Sequence, residues 1–364
     1  MSRPSGVSSI GVSHQGGGAS MARGGPDDKI HPVGKLAAIV TALAEDGVAI
    51  DDALRAVQLA SGALASPKTR VSINQILWIC REAMERSREP LFAYRAGLRM
   101  RVSSFGLFGF AILTSTNFRQ TVRVAAKYHE LTTPLAGISF REEAGFGIWT
   151  IDPEPHPLID ARLYRFLVEM QFGIHVSLHR DVMGPAFKPT EFRFSYAAPL
   201  GAKRHRDAFS CEVLFGQPSN ELVFDATLLD AVPPLGDRLT NPTVLKMCDK
   251  LLEEFDLRKG LSGKVREALL ANLAEPTPVD DIARHLGQSP RTLRRKLQEE
   301  GASIQKLRDE LRLQVAIKYL RDTDMTVEEA SDVLGFNEAA NFRRAFARWT
   351  NMSPQQFRAI ASNA

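Results

Sequence analysis

The sequence predicts two parts in succession, a mixed α+β domain and then an all-α C-terminal domain. Three patterns lead there. Apolar residues recur at helical spacing early in the chain, alternate with a period of two between Ile138 and Asp225, and return to helical spacing after Thr243. A segment of the helical end is repeated 48 positions later, from Val279 to Val327. The 364 residues suffice for two domains at roughly one per 150 residues.

Residues 1–31 are rich in Gly and Ser and lack apolar periodicity, so a flexible tail is expected, with Met21 an alternative start and no secretion leader. Helical spacing begins with Val33, Leu36, Ile39, Val40, Leu43 and Val48, and continues at Ile73 to Met84, Phe105 to Ser115 and Phe118 to Leu131. Ile138 and Phe140, then Phe146, Ile148 and Thr150, alternate on either side of a turn at Glu142 to Gly145, which reads as a β-hairpin. A helix is expected from Ile159 to Arg180, followed by strands at Glu191 to Tyr196 and Glu221 to Asp225. Pro233, Pro234 and Gly236 then break the pattern, placing the division between residues 32–235 and 241–364.

Composition removes several function classes. Lys and Arg number 46 against 42 Asp and Glu, so bulk charge does not by itself select a nucleic-acid partner. Cys80, Cys211 and Cys248 are too scattered for a disulfide framework or a zinc site, which fits a reducing cytosol and a cytoplasmic protein. The most apolar run, Phe105 to Leu113, is far shorter than the roughly 20 residues that span a bilayer, so no membrane partner is expected. No phosphate-binding glycine loop, nucleophile elbow or Cys and His grouping is present, so neither catalysis nor a cofactor is expected. His175 and His179 stand one helical turn apart with Glu169 earlier, but no third ligand is evident and no metal is expected.

The repeat is the most specific signal. Val279 to Gly287 (VDDIARHLG) returns as Val327 to Gly335 (VEEASDVLG), and Leu293 to Leu297 (LRRKL) returns as Phe342 to Phe346 (FRRAF). Each copy has the parts of a helix-turn-helix. Thr277 with Asp280, and Thr326 with Glu329, place a hydroxyl at a helix start and a carboxylate three residues on. Gly287 and Gly335 supply the turn, where a residue without Cβ adopts positive φ. Ser289 and Pro290 open the second helix of the first copy, whose stripe of Leu293 and Leu297 leaves Arg291, Arg294, Arg295 and Gln298 outward, with Thr292 in its first turn. In the second copy Phe342, Ala345 and Phe346 face inward, leaving Asn337, Glu338, Asn341, Arg343 and Arg344 at or near the exposed face. Arginine reads guanine, asparagine adenine and glutamate cytosine in the major groove of double-stranded DNA. Neither outward face carries an aromatic for stacking RNA bases. Between the copies, Ile304, Leu307, Leu311, Val315 and Ile317 mark one long linker helix. The expected C-terminal domain is thus two helix-turn-helix motifs joined by a long linker helix.

Gly260 to Arg358, densest at Gly335 to Phe357 and including Arg312, Leu313, Ala316 and Leu320, resembles the AraC/XylS class of bacterial transcription regulators. The resemblance implies base reading by Arg291, Arg294 and Arg295 in the first motif, and by Ala339, Asn341, Arg343 and Arg344 in the second. Ala339 and Ala340 are small where many relatives carry larger polar side chains, which implies phosphate contact by Arg343, Arg344 and Arg348. RNA polymerase, a small-molecule effector and a second copy of the chain are the further partners implied.

Gly106 to Thr116, Tyr128 to Leu131 and Phe215 to Asp225 resemble the effector-binding domain of the ornithine-utilization and virulence-regulator branch of that class. It differs from the cupin sensor of the arabinose regulator in that helices precede the strands. Candidates for an apolar effector pocket are Phe108, Phe110, Tyr128, His129, Phe166 and Met170, each of which also reads as ordinary core. The alternative is a DNA-tethered protein whose N-terminal domain is an enzyme or a ligand-independent interaction module.

Overall fold

A computed structural model describes residues 26–132, 135–199, 202–258, 260–270 and 277–362. The expected tail lies outside the described residues up to position 25. Its last part is docked, correcting the sequence expectation: His31–Pro32 (β1) pairs antiparallel with Arg70–Val71 (β2), and the Asn74 amide donates to the Asp27 carboxylate at 2.7 Å.

The N-terminal helices follow the predicted periods. They are α1 (Gly34–Glu45), α2 (Asp51–Ala56), α3 (Ile73–Arg86), α4 (Phe92–Leu98), α5 (Gly106–Leu113) and α6 (Phe118–Tyr128). Local chemistry sets several starts. Ser72 and Gln75 form a reciprocal capping box on α3, and Asn117 accepts the Gln120 amide at the start of α6. The hairpin is formed by β3 (Ala136–Glu143) and β4 (Phe146–Pro153) across Ala144 and Gly145, as the alternation predicts. Helix α7 (Ala161–Met183) follows, capped by Asp160.

After α7 come β5 (Glu191–Arg193), α8 (Ala202–Phe209), β6 (Glu212–Leu214) and β7 (Glu221–Asp225). The sheet order is β3-β4-β7-β5-β6, antiparallel except for the β5–β6 pair. Strand β6 and helices α2, α4 and α8 lie outside the sequence expectation. All are short, so too few periods fall within each to declare its type.

Helix α7 is apolar on two faces because it separates two cores. Leu163, Leu167, Met170 and Ile174 pack with α1, α3 and α4, while Val168, Phe172 and Val176 pack with the sheet, α5 and α6. Gly97 and Gly173 permit the α4–α7 crossing, since a Cβ on either would collide with the backbone of the opposite helix. Phe172 stacks on Phe192 at 4.8 Å, tying α7 to β5.

Helix α9 (Thr240–Arg258) follows the turn at Pro233–Gly236 and packs back on the N-terminal part. Val244 and Cys248 belong to the sheet-side core, and Asn241 donates to the Ala111 carbonyl at 3.0 Å. Tyr128 and Lys127 both reach the Asp249 carboxylate, at 2.7 and 2.6 Å. These contacts join α9 to the sheet-side core across the break.

The remaining helices are α10 (Gly260–Leu270), α11 (Val279–His285), α12 (Pro290–Glu299), α13 (Ile304–Asp322), α14 (Val327–Val333), α15 (Ala339–Thr350) and α16 (Pro354–Ser362). They enclose two small cores. Ile304, Leu307 and Leu311 of α13 close the first with α10, α11 and α12; Leu313, Ala316, Ile317 and Leu320 of the same helix close the second with α14, α15 and α16.

Candidate nucleic-acid interface

Helices α11–α12 and α14–α15 are the two duplicated units, each turning at a glycine with positive φ, +63° at Gly287 and +70° at Gly335. Their starts differ from expectation in one respect. Thr326 and Glu329 form the predicted capping box, but the cap of α11 is Pro278 rather than Thr277, with no side-chain bond. Proline at 278 displaces the start by one residue, and the Thr277 carbonyl instead accepts from Arg308 at 3.1 Å.

In the first unit Ser289 caps α12 and Pro290 occupies its first position, as the sequence indicates. Ser289 Oγ lies 2.8 Å from Thr292 Oγ1, so both hydroxyls are engaged within the first turn. Leu293 and Leu297 are fully buried, which directs Arg291, Arg294, Arg295 and Gln298 into solvent. Arg295 pairs with Glu299 one turn on, whereas Arg291 and Arg294 have no acidic partner among the described residues. Two uncompensated guanidinium groups therefore project from one helix face.

The second unit is different. Asn337 and Glu338 are exposed, and Glu338 precedes α15 without capping it. Asn341 accepts from Arg344 at 2.6 Å, Arg343 pairs back to Glu328 of α14, and Ala339 and Ala340 leave the start of the helix bare. Arg348 reaches Asp309 at 3.3 Å while remaining 66% exposed, so its charge stays available to solvent.

Several positioning residues fall outside the candidate set drawn from the sequence. Arg312 donates to the Gly335 carbonyl at 3.1 Å and lies 4.7 Å over the Phe336 ring, fixing the second turn on α13. Glu300 accepts the Leu261 and Ser262 amides at 2.7 and 2.8 Å, anchoring α10 against the end of α12. These bonds join residues 23 to 39 positions apart, beyond any local pattern.

Residues 47–232 match the family described as the arabinose-binding domain of AraC transcription regulators, and residues 282–360 match a helix-turn-helix domain family. The chain belongs to the AraC family. Among its relatives is the ornithine utilization regulator of Pseudomonas aeruginosa, 29% identical over 334 residues, 90% of this chain and 96% of that one. The HTH-type transcriptional regulator VqsM of the same organism is 25% identical over 280 residues, covering 72% and 82%. The crystal structure of the transcriptional regulator CdpR from P. aeruginosa aligns with a TM-score of 0.48 at 20% identity, over 90% of this chain and 98% of that one. This AraC-type chain is a DNA-binding transcription regulator with a mixed α/β N-terminal domain. Among the described residues no single helix is long and apolar enough to cross a membrane.

The candidate effector residues of this regulator do not share one pocket. Phe108 and His129 line a buried cavity of about 40 Å³ beside Lys35, Trp149, His175 and His179. That is room for about one water molecule. Burial lowers the Lys35 ammonium to about 7 and the His129 and His175 imidazoles to about 3 and 4. Phe110 is 47% exposed, Tyr128 is bonded to α9, and Met170 is core. Phe166 alone of the six lines a much larger cleft, about 1220 Å³, between the N-terminal helices and the α13–α16 unit. The histidines weighed as metal ligands serve packing: Trp149 Nε1 donates to His179 Nε2 at 3.2 Å, and His175 Nδ1 meets the Gln171 carbonyl at 2.9 Å. Glu169 belongs to a separate network with Arg165 and Tyr196.

Proposed function

We propose that α12 and α15 enter successive major grooves, with α12 reading base edges and α15 chiefly gripping phosphate. The observation that carries this reading is the contrast between Arg291 and Arg294, which have no acidic partner among the described residues, and the second unit, where Arg343 and Arg344 are already engaged. Helix α13 is 19 residues, about 28 Å at 1.5 Å per residue, and grooves on one face of the duplex repeat about every 34 Å. A single shared helix therefore sets the spacing of the two readers.

In this reading the N-terminal domain senses a small organic effector, a second copy of the chain supplies a second pair of units, and the DNA-bound protein contacts RNA polymerase in the cytoplasm. The resemblance to the ornithine utilization regulator supports the effector, and the exposed reader helices support the DNA pose.

Selection of duplexes from a random pool at near-physiological salt tests it. Two short enriched motifs about one helical turn apart are expected, the stronger at the α12 half. Retention without sequence enrichment would reduce both helices to phosphate contact.

A further inference from the structure

Lys35 lies inside the N-terminal domain rather than on its surface. Among the described residues it is the one buried lysine, held on α1. It lines the cavity of about 40 Å³ together with His129, just after α6, and Gln171, His175 and His179 of α7. Phe105, Phe108 and Trp149 contribute aromatic wall, and none of the lining residues is acidic.

Basic groups crowd one point. The titratable groups that act on Lys35, or on which it acts, are His31 on β1, Cys80 on α3, His129 and His175. Hydrogen bonds assign two of the rings. His129 Nε2 lies 2.7 Å from the Ala136 carbonyl and His175 Nδ1 lies 2.9 Å from the Gln171 carbonyl. A carbonyl only accepts, so both nitrogens donate, and the opposite nitrogen of each ring is left to take a second proton.

Burial lowers the Lys35 ammonium to about 7, so the amine gains its charge as pH falls through neutrality. A cation enclosed by apolar wall and neutral bases is stabilised by an anion brought in beside it. Size then selects the anion. A space for about one water molecule admits a monatomic ion and excludes carboxylates and phosphates.

We propose that this cavity binds a single halide ion against the Lys35 ammonium. The site stands apart from the effector reading above and does not depend on it. Helix α1 belongs to the first core, α6 to the sheet-side core and α7 to both, so an occupied cavity ties the two cores together.

The test uses the full chain carrying Trp78→Phe and Trp349→Phe, which leaves Trp149, in the cavity wall, as the reporter. Bromide, which quenches indole on contact, replaces gluconate at constant ionic strength; gluconate is too large to enter. At pH 6 Trp149 emission falls along a saturating curve, the melting temperature rises with it, and chloride competes. At pH 8 binding is about tenfold weaker, following the protonated fraction of an amine that titrates near 7. Lys35→Met, similar in length and uncharged, loses the saturating quench. The pH dependence is read on the unaltered lysine and stands without that variant. Quenching that grows linearly without saturation, an equal response in Lys35→Met, or binding indifferent to pH would each overturn the proposal. A melting temperature that follows bromide while Trp149 emission does not would place the ion on the surface and overturn it as well.

Discussion

The guanidinium carbon of Arg321 sits 4.5 Å over the ring of Tyr164, joining the helix shared by the two DNA-reading units to the core helix of the N-terminal domain. Cation–π contacts contribute about 0.5–1 kcal/mol when exposed and about 2 when desolvated. At 12% exposure, a coupling near 1 kcal/mol is expected between Arg321→Ala and Tyr164→Leu in a double-mutant cycle read by urea unfolding. Additive effects would mean that the two halves do not pack this way in solution.

Base reading and phosphate contact separate by substitution. Arg294→Ala is expected to cost about 1–3 kcal/mol at one base pair of the selected site and little on scrambled duplex. Arg348→Ala should weaken every sequence alike and reduce the slope of log affinity against log salt by about 1. Fluorescence anisotropy on matched and scrambled duplexes at several salt concentrations decides. Equal losses on both duplexes from the two variants would leave Arg294 a phosphate contact.

The two units differ at their first caps, and stability should register it. Thr326→Ala removes one side of a capping box and is expected to cost about 1 kcal/mol. Thr277→Ala should cost only a few tenths, because Pro278 caps α11 and the Thr277 bond to Arg308 runs through the backbone carbonyl, which alanine keeps. Similar losses from both, in chemical unfolding, would place the Thr277 hydroxyl in a capping role after all.

The duplication and the sheet hairpin were readable because their signals are local: apolar period, hydroxyl and carboxylate caps, and a glycine at each turn. Leu293 with Leu297 and Phe342 with Phe346 face inward as their spacing requires. What escaped depends on partners far along the chain. Helix α9 looks like the start of the helical end, yet Asp249 meets Lys127 and Tyr128 more than 120 positions away, and no periodicity encodes that choice. The same holds for the cleft. Phe110 and Phe166 are equally apolar in sequence, but α5 presents Phe110 to solvent while Phe166 lies at the base of the space between the halves.

Acid should unfold the protein through its buried bases. Burial is the largest cause holding His31, His156 and His175 at about 4 and His129 at about 3, all below the ordinary 6.5. The native state keeps these rings neutral, so their contribution is complete above 6.5 and drains as pH falls toward 4, where the unfolded chain takes up protons that the native state refuses. Lys35, lowered to about 7 by burial, adds a slope of the same sign at higher pH, from 10.5 down to 7. At about pH 5 each histidine is expected to have lost up to about 2 kcal/mol, 1.36 kcal/mol for each pH unit below 6.5. Urea midpoints should therefore drop steeply between pH 7 and pH 5. His156→Gln should flatten part of that drop, because the amide oxygen can keep the bond that His156 Nδ1 accepts from the Leu158 amide at 3.1 Å and does not titrate. A midpoint that holds steady across this range would mean that the imidazoles charge without unfolding the domain, and that the interior around α7 admits water.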